Sequence, residues 1–346
     1  MRQPKITVIT LTYNLYSDDR VNLFKKCIES VQNQTYTNIE HIIIDGASND
    51  GSLEIIEEYA RKNGCKLYSE KDNGIDDAYN KGISKATGKY IAFLNSDDYY
   101  YDNDVISDCI EKLEDENADY SYGSEVKVDR KGNKIFESHP QMFKFWHDVP
   151  YGHQTLIVKK TVLEEIGLYD TSYGYGGDVA LMLKLIIDGY KGIDVKRFVA
   201  KYTFGGNCTN HEDKKNLYKV FNILGRRFNE LHRKFYPDIT FEESERIYRF
   251  YQNKKVYPSL FLEKLINYIV SLDLKYFDYN TCIDYIVSII NEINLPDNKN
   301  NVKHFYLFGF IPIWKKVETC YKTKYYLFNF IPFLKVKKRI IKGGKK

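Results

Sequence analysis

The residues best suited to chemistry in this chain stand in short polar runs that follow apolar ones. Asn95-Ser96-Asp97-Asp98 comes directly after Tyr90-Ile91-Ala92-Phe93-Leu94. Adjacent carboxylates at a strand end repel each other, and a divalent cation with a diphosphate offsets that repulsion. Mg²⁺ or Mn²⁺ binds one or two carboxylates, and phosphate oxygens fill further positions. Alone, the same Asp-Asp pair also reads as a helix N-cap or a solvated turn. Asp45 closes Ile42-Ile43-Ile44 and opens Gly46-Ala47-Ser48-Asn49-Asp50-Gly51-Ser52. Two glycines there let backbone approach a ligand, and Ser, Asn and Asp can cap the next helix. The Asp45 carboxylate is expected to point into a crevice, where it can accept the imide N–H of uracil or a ribose hydroxyl.

Residues 70–82 form a polar loop entering a helix, and Asp72, Asn73 and Lys81 can face base, ribose or phosphate. The positive end of the helix favours an anion there, although a capped surface helix has the same pattern. Tyr175-Gly176-Gly177-Asp178 precedes an amphipathic run. Asp178 is either an N-cap or a general base that takes a proton from an acceptor hydroxyl. His153-Gln154, just ahead of an apolar run at 155–158, can orient an acceptor or serve structurally.

The elements that must position these residues alternate. Strand signals at 6–11, 42–44, 67–68 and 90–94 interleave with helical spacing at 22–34, 53–60, 75–86 and 103–115. That order predicts an α/β fold with a mostly parallel, Rossmann-like sheet and helices on both faces. In such sheets ligands bind beyond the carboxyl ends of the strands. Thr12-Tyr13-Asn14, Asp45 and the Asn95–Asp98 run should therefore converge on one edge. Further strands are expected at 120–128, 134–136, 155–158 and 196–203, with helices at 161–166 and 179–187. Residues 211–294 read as helical, and 295–301 as a linker.

Composition narrows the class. The 346 residues are 43% hydrophobic, enough for one sizeable core and a smaller appendage. The net charge of +4 conceals a split. Residues 302–346 hold twelve Lys and Arg against one acid, Glu318, leaving 39 basic and 46 acidic residues in the first 301. An acidic body disfavours nucleic acid as a partner. The six cysteines are scattered, without a CxxC pair, so reduced cytosolic thiols are expected. No secretory leader pattern opens the chain, and no apolar run approaches the roughly 20 residues of a spanning helix. The basic tail repeats itself at a period of 20 residues, Tyr306-Leu307-Phe308-Gly309-Phe310-Ile311-Pro312 matching Tyr326-Leu327-Phe328-Asn329-Phe330-Ile331-Pro332. Aromatics among cations suit an anionic membrane surface, and packing against the helical region is the alternative.

The order of these motifs resembles glycosyltransferase family 2. The likeness spans residues 4–205. It is carried by Thr12-Tyr13-Asn14, Ser30-Val31-x-x-Gln34-Thr35-Tyr36 and Ile44-Asp45-Gly46-x-Ser48-x-Asp50-Gly51-Ser52, then by Asp72-x-Gly74-x-x-x-Ala78-x-Asn80-x-Gly82, Ala86-Thr87-Gly88-x-Tyr90, Phe93-Leu94-Asn95-Ser96-Asp97-Asp98 and Gly177-Asp178. The resemblance implies a GT-A fold, a nucleoside-diphosphate sugar donor (a UDP-sugar), a divalent metal and inversion at the anomeric carbon. It implies that Thr12, Tyr13, Asn14 and Asp45 hold the base, and that Asp72 and Asn73, with Lys81, line the nucleotide pocket. Asn95 and Ser96 would border the donor, Asp97 would bind Mn²⁺ or Mg²⁺ with Asp98 as a second candidate, and Asp178 would be the base.

Two positions depart from the family pattern: Asn95 replaces the first acid of Asp-x-Asp, and Gly177 stands where the base motif often has Glu. The Gln-x-x-Arg-Trp element of processive synthases is absent, so a single hexosyl or N-acetylhexosaminyl addition is expected. The acceptor would be a glycan or lipid-linked hydroxyl in cell-surface polysaccharide synthesis. The expected division is a transferase domain over 1–210, a helical region over 211–298 and the tail over 299–346. The protein is expected in the cytoplasm, peripheral on the inner face of the cell membrane. A sugar-nucleotide binding module is the competing class. A sugar nucleotidyltransferase would need a Gly-rich phosphate loop that residues 10–14 lack, and a dinucleotide enzyme a Gly-x-Gly-x-x-Gly.

Overall fold

The computed structural model describes residues 3–140, 149–204 and 225–231, a few single positions up to 244, and strands between 303 and 326. Two compact units divide the chain, Met1–Gln252 and Asn253–Lys346. The boundaries expected at 210 and 298, the linker, and most of the helical region expected over 211–294 lie outside the described residues, although 225–231 is helical.

In the first unit, β1 (Ile6–Thr12), α1 (Val21–Gln32), β2 (Ile39–Asp45), α2 (Ser52–Lys62), β3 (Lys66–Ser69), α3 (Ile75–Lys85) and β4 (Tyr90–Phe93) alternate as expected. β5 (Tyr99–Tyr100), α4 (Val105–Asp115), β6 (Tyr120–Val128), β7 (Lys134–Ser138), β8 (Ile157–Lys159), α5 (Lys160–Glu165), α6 (Gly177–Ile187) and β9 (Gly192–Thr203) follow. One nine-stranded sheet runs β3-β2-β1-β4-β8-β6-β9-β5, with β7 beside β6. Its β3-β2-β1-β4 half is parallel. Past β4 the directions mix: β8 is antiparallel to β4 and β6, whereas β9 is parallel to β6.

The alternation along β1 shows why the strand is apolar throughout. Ile6 and Val8 pack with Cys27, Val31 and α4 on one face, while Ile9 packs with Ala78, Tyr79 and Ile83 of α3 on the other. Successive side chains point to opposite faces, and both faces are covered. Truncating Ile9 to Ala in this setting costs about 2–5 kcal/mol. Beneath the sheet's other end, Glu40 is a buried polar hub, accepting from Thr7 Oγ1 and Lys66 Nζ at 2.6 Å and from Thr87 N at 2.8 Å.

Register sets the site. Thr12 stands opposite Asp45, and Asp45 opposite Ser69, so three strands end level. Ile9 stands opposite Phe93, and Leu94 N donates to Ile9 O at 3.0 Å, which carries Asn95 up beside them. The two-residue β5, unmarked in the sequence, pairs antiparallel with β9 and brings the end of β9 to the same edge.

In the second unit, β10 (Lys303–Leu307), β11 (Ile311–Thr319) and β12 (Lys322–Tyr326) form an antiparallel sheet in that order. The first tail repeat runs from the end of β10 into β11. The second starts on the last residue of β12 and continues outside the described residues. Among the described residues no helix is long and apolar enough to cross a membrane.

Candidate functional site

The loops after β1 and β2 are laced together. Asn14, with φ of 47°, donates from N to Ser48 Oγ at 2.9 Å and accepts from Asn49 N at 2.9 Å. Ser17 N donates to Asp50 Oδ2 at 2.8 Å, and Tyr16 N to Ser52 Oγ at 3.0 Å. Asp45 is fully buried, and its carboxylate accepts from Thr12 Oγ1 (3.1 Å), Ser48 N (2.9 Å), Ser48 Oγ (2.5 Å) and Ser69 Oγ (2.8 Å). Both oxygens serve the loops, so Asp45 braces them from within, whereas a carboxylate pointing out into a crevice is the expectation from sequence. Tyr13 is 53% exposed beside it.

The third loop closes the floor. A Cβ on Gly46 would come 2.6 Å from Asp72 Oδ2 and 3.2 Å from the Tyr13 ring, so glycine at 46 lets both side chains lie close over the backbone without shifting. Asp72 Oδ1 accepts from Gly74 N at 3.0 Å. Asn73 N donates to Asp77 Oδ2 at 2.9 Å, and Lys81 donates to Lys71 O at 2.6 Å while lying 3.6 Å from Asp77. Asp72, Asn73 and Lys81 thus shape one loop at the head of α3.

In the Asn95–Asp98 loop each side chain faces a different way. Asn95 Oδ1 accepts from Tyr79 OH, and Ser96 Oγ lies 3.4 Å from Arg20 Nη1. Asp97 is half-buried; its backbone carbonyl accepts from Thr203 Oγ1 at 2.5 Å. Asp98 is buried, its Oδ1 accepts from Thr203 N at 2.9 Å, and the Gln154 side chain also donates to it. The last residue of β9 therefore clamps this loop. Burial raises the Asp97 carboxyl above its ordinary range, with Arg20 and then Arg130 pulling it back. Burial, then Asp97, pushes Asp98 higher still.

A divalent ion fits this chemistry. Asp97 and Asp98 are under-compensated acids, and Asp98 Oδ2 has no hydrogen-bond partner. Among the described residues no cluster of three His, Cys, Asp or Glu exists to cage a metal. Mg²⁺ and Mn²⁺ in phosphate-binding sites take one or two carboxylates and draw further oxygens from the phosphates.

Asp178 stands half-buried in the first turn of α6, where Val179 N donates to its Oδ1 at 2.8 Å. The Tyr79 hydroxyl is held far above its usual range by burial, then by Asp178, Asp98, Asp97 and Asp76, so all four carboxylates act on one buried phenol. His153 and Gln154 turn inward. His153 is buried, stacks on Phe93 at 5.1 Å, and its Nε2 lies 2.6 Å from Tyr169 OH, with burial lowering its basicity. Gln154 supports Asp98.

Three site residues carry no motif signal. Arg20 precedes α1 and reads as a solvated charge; it bridges Ser96, the Tyr13 carbonyl and Asp18. Tyr79 reads as a core aromatic. Asp76, in the first turn of α3, reads as a helix-start acid, yet it is buried against Gly177, 101 positions along the chain. Such pairings are written in the tertiary fold alone.

Residues 7–169 match the model of Glycosyl transferase family 2. The chain is 30% identical over 245 residues to an uncharacterized glycosyltransferase of Rickettsia conorii, covering 68% of this chain and 39% of that protein. It is 26% identical over 244 residues to one of Methanocaldococcus jannaschii, covering 67% and 82%. The chain thus spans about two-fifths of the length of its relatives from Rickettsia conorii and Rickettsia felis, 39% and 38%. Among solved structures it is similar to S. aureus TarS 1-349 in complex with UDP-GlcNAc, with a TM-score of 0.53 at 15% identity over 82% of this chain and 83% of that one. The shared architecture is the α/β GT-A fold.

Proposed function

We propose, on the premise that residues 7–169 form a family 2 glycosyltransferase domain, that this chain transfers one sugar from a nucleoside-diphosphate sugar to an acceptor hydroxyl with inversion. The observation that carries the reading is the Tyr79 hydroxyl, which donates to Asn95 at the edge where three parallel strands end and on which the charges of Asp178, Asp98 and Asp97 all act. The exposed Tyr13 ring and the Thr12–Asn14 backbone receive the base, on a floor braced by Asp45 and Asp72. A UDP-sugar is the donor we favour, and the UDP-GlcNAc bound by the TarS fragment supports that choice.

Asp178 accepts the proton of the acceptor hydroxyl as its oxygen bonds to the anomeric carbon. The bond from that carbon to the donor diphosphate breaks on the opposite face, and its electron pair leaves with the diphosphate. Arg20, beside Ser96, offsets charge growing on the leaving group. Asp97, with Asp98 braced behind it, would hold Mn²⁺ or Mg²⁺, which supplies Lewis-acid stabilisation of the diphosphate when bound. The acceptor is a glycan or lipid-linked hydroxyl of a surface polysaccharide, reached with residues 302–346 on an anionic membrane face.

Asp178→Asn keeps the shape and removes the proton acceptor. Donor affinity by calorimetry should stay within about twofold while transfer drops at least about 10²-fold. Near-normal turnover in that variant would refute the base assignment.

A further inference from the structure

Asp76 lies in the first turn of α3, is 4% exposed, and has no hydrogen-bond partner on Oδ2. Its carboxyl packs on the backbone of Gly177: a Cβ built there would come 2.0 Å from Oδ1 and 2.2 Å from Oδ2. The carboxyl therefore fills the volume that any side chain at 177 would take, at the first residue of α6 and next to Asp178. The groups that act on it are the carboxylates of Asp178 on α6 and Asp170 in the turn before it. The phenols of Tyr79 and Tyr169 and the buried His153 complete the cluster around Asp178. On the same helix Asp77 faces Lys81, and the charges of Arg226 and Arg227 act on Asp170. Among the described residues no Lys or Arg forms an ion pair with Asp76.

We propose that Asp76 is the neutral, proton-bearing partner of Asp178, donating from Oδ2 to the Asp178 carboxylate and so fixing the direction of the base. This rests on the reading of Asp178 as base. Two carboxyls at the starts of adjoining helices, Asp76 on α3 and Asp178 on α6, with no ion pair to Asp76 among the described residues, do not both ionise, and one retains a proton. Asp178 already accepts from Val179 N, whereas Asp76 Oδ2 has no donor, so the proton stays on Asp76. Burial, then Asp178 and Asp170, raises the Asp76 carboxyl to about 7, the direction this arrangement requires. Asp76 acts through Asp178 as a positioning residue: the acceptor's proton goes to Asp178, and Asp76 keeps its own.

The test uses the full chain with 13C-carboxyl aspartate, the Asp76 resonance being assigned by its loss in Asp76→Asn. Its titration midpoint is expected near 7, falling by about one unit or more in Asp178→Asn. A midpoint in the ordinary range near 4 overturns the proposal. Turnover supplies an independent readout. kcat/KM should fall above pH 7 or so as Asp76 ionises, and Asp76→Asn, which cannot ionise yet still donates an N–H, should lose that alkaline fall. Asp76→Ala should lower kcat by about tenfold or more with the donor KM little changed, and Asn should restore most of it. An Asp76→Asn profile that superimposes on the wild type also overturns the proposal. If Asp178→Asn shifts the Asp76 midpoint yet keeps turnover, the pair stands and the base reading fails.

Discussion

One guanidinium ties two loops of the site together: Arg20 Nη1 lies 3.4 Å from Ser96 Oγ, and Nη2 donates to the Tyr13 carbonyl at 2.7 Å. Arg20 is also the cation that most lowers the Asp97 carboxyl against the effect of burial. A diphosphate beside Asp97 would meet the same charge. Arg20→Ala should weaken UDP binding by about tenfold, near 1.4 kcal/mol. Arg20→Lys should recover only part of it, since a single ammonium cannot reach both loops. Calorimetry with UDP at fixed salt decides, and unchanged affinity in both variants removes Arg20 from the donor site.

Asp97 and Asp98 are neighbours with different surroundings, and their variants should separate accordingly. Asp97→Ala keeps the Thr203 clamp, because Thr203 Oγ1 donates to the Asp97 backbone carbonyl. It should abolish metal-stimulated donor binding with little change in stability. Asp98→Ala strips the acceptor from Thr203 N and from Gln154. It should destabilise the fold by about 1–3 kcal/mol in chemical denaturation, with or without metal. If both variants lose only metal response, Asp98 is a ligand of equal rank.

Much of this site is legible in the sequence because it is built from consecutive residues at strand ends. A β-branched run followed by a polar one announces both the strand and the edge where it stops, and β1, β2 and β4 lie where 6–11, 42–44 and 90–94 place them. Which way a side chain turns at that edge is another matter. Asp45 ends its strand as expected, but four hydrogen bonds draw it into the floor. His153 and Gln154 lie beside the site and face its supports. Burial of Asp76 depends on residue 177 lacking a side chain, a relation no local pattern records.

Glu40 should make the fold acid-sensitive in a defined window. Burial alone raises its carboxyl, but hydrogen bonds from Lys66, Thr7 and Thr87 outweigh that and lower it to about 2. The depressed value means that its stabilisation is present above the unfolded value of 4.5 and is lost as pH falls through about 2. Glu40→Gln should lower stability at pH 7 by about 1–3 kcal/mol and flatten the loss between pH 4.5 and 2. Urea midpoints across that range provide the measurement. A Gln variant as acid-sensitive as the wild type would assign the loss to other carboxylates.

The basic tail makes the last prediction. Twelve Lys and Arg against one acid within residues 302–346, interleaved with the repeated Tyr-Leu-Phe-x-Phe-Ile-Pro, should hold the full chain on vesicles containing about 30% anionic lipid. Each cation near such a surface contributes about 1 kcal/mol, and salt screens it over a Debye length of about 8 Å at physiological strength. Lys337→Glu, Lys338→Glu and Arg339→Glu together should therefore move most of the protein from the floated to the soluble fraction. Raising salt to about 0.5 M should do the same for the wild type. Neutral vesicles should retain little protein. Equal flotation of the triple variant and the wild type would mean that these charges do not hold the chain to lipid, and would return the tail's aromatics to packing against protein.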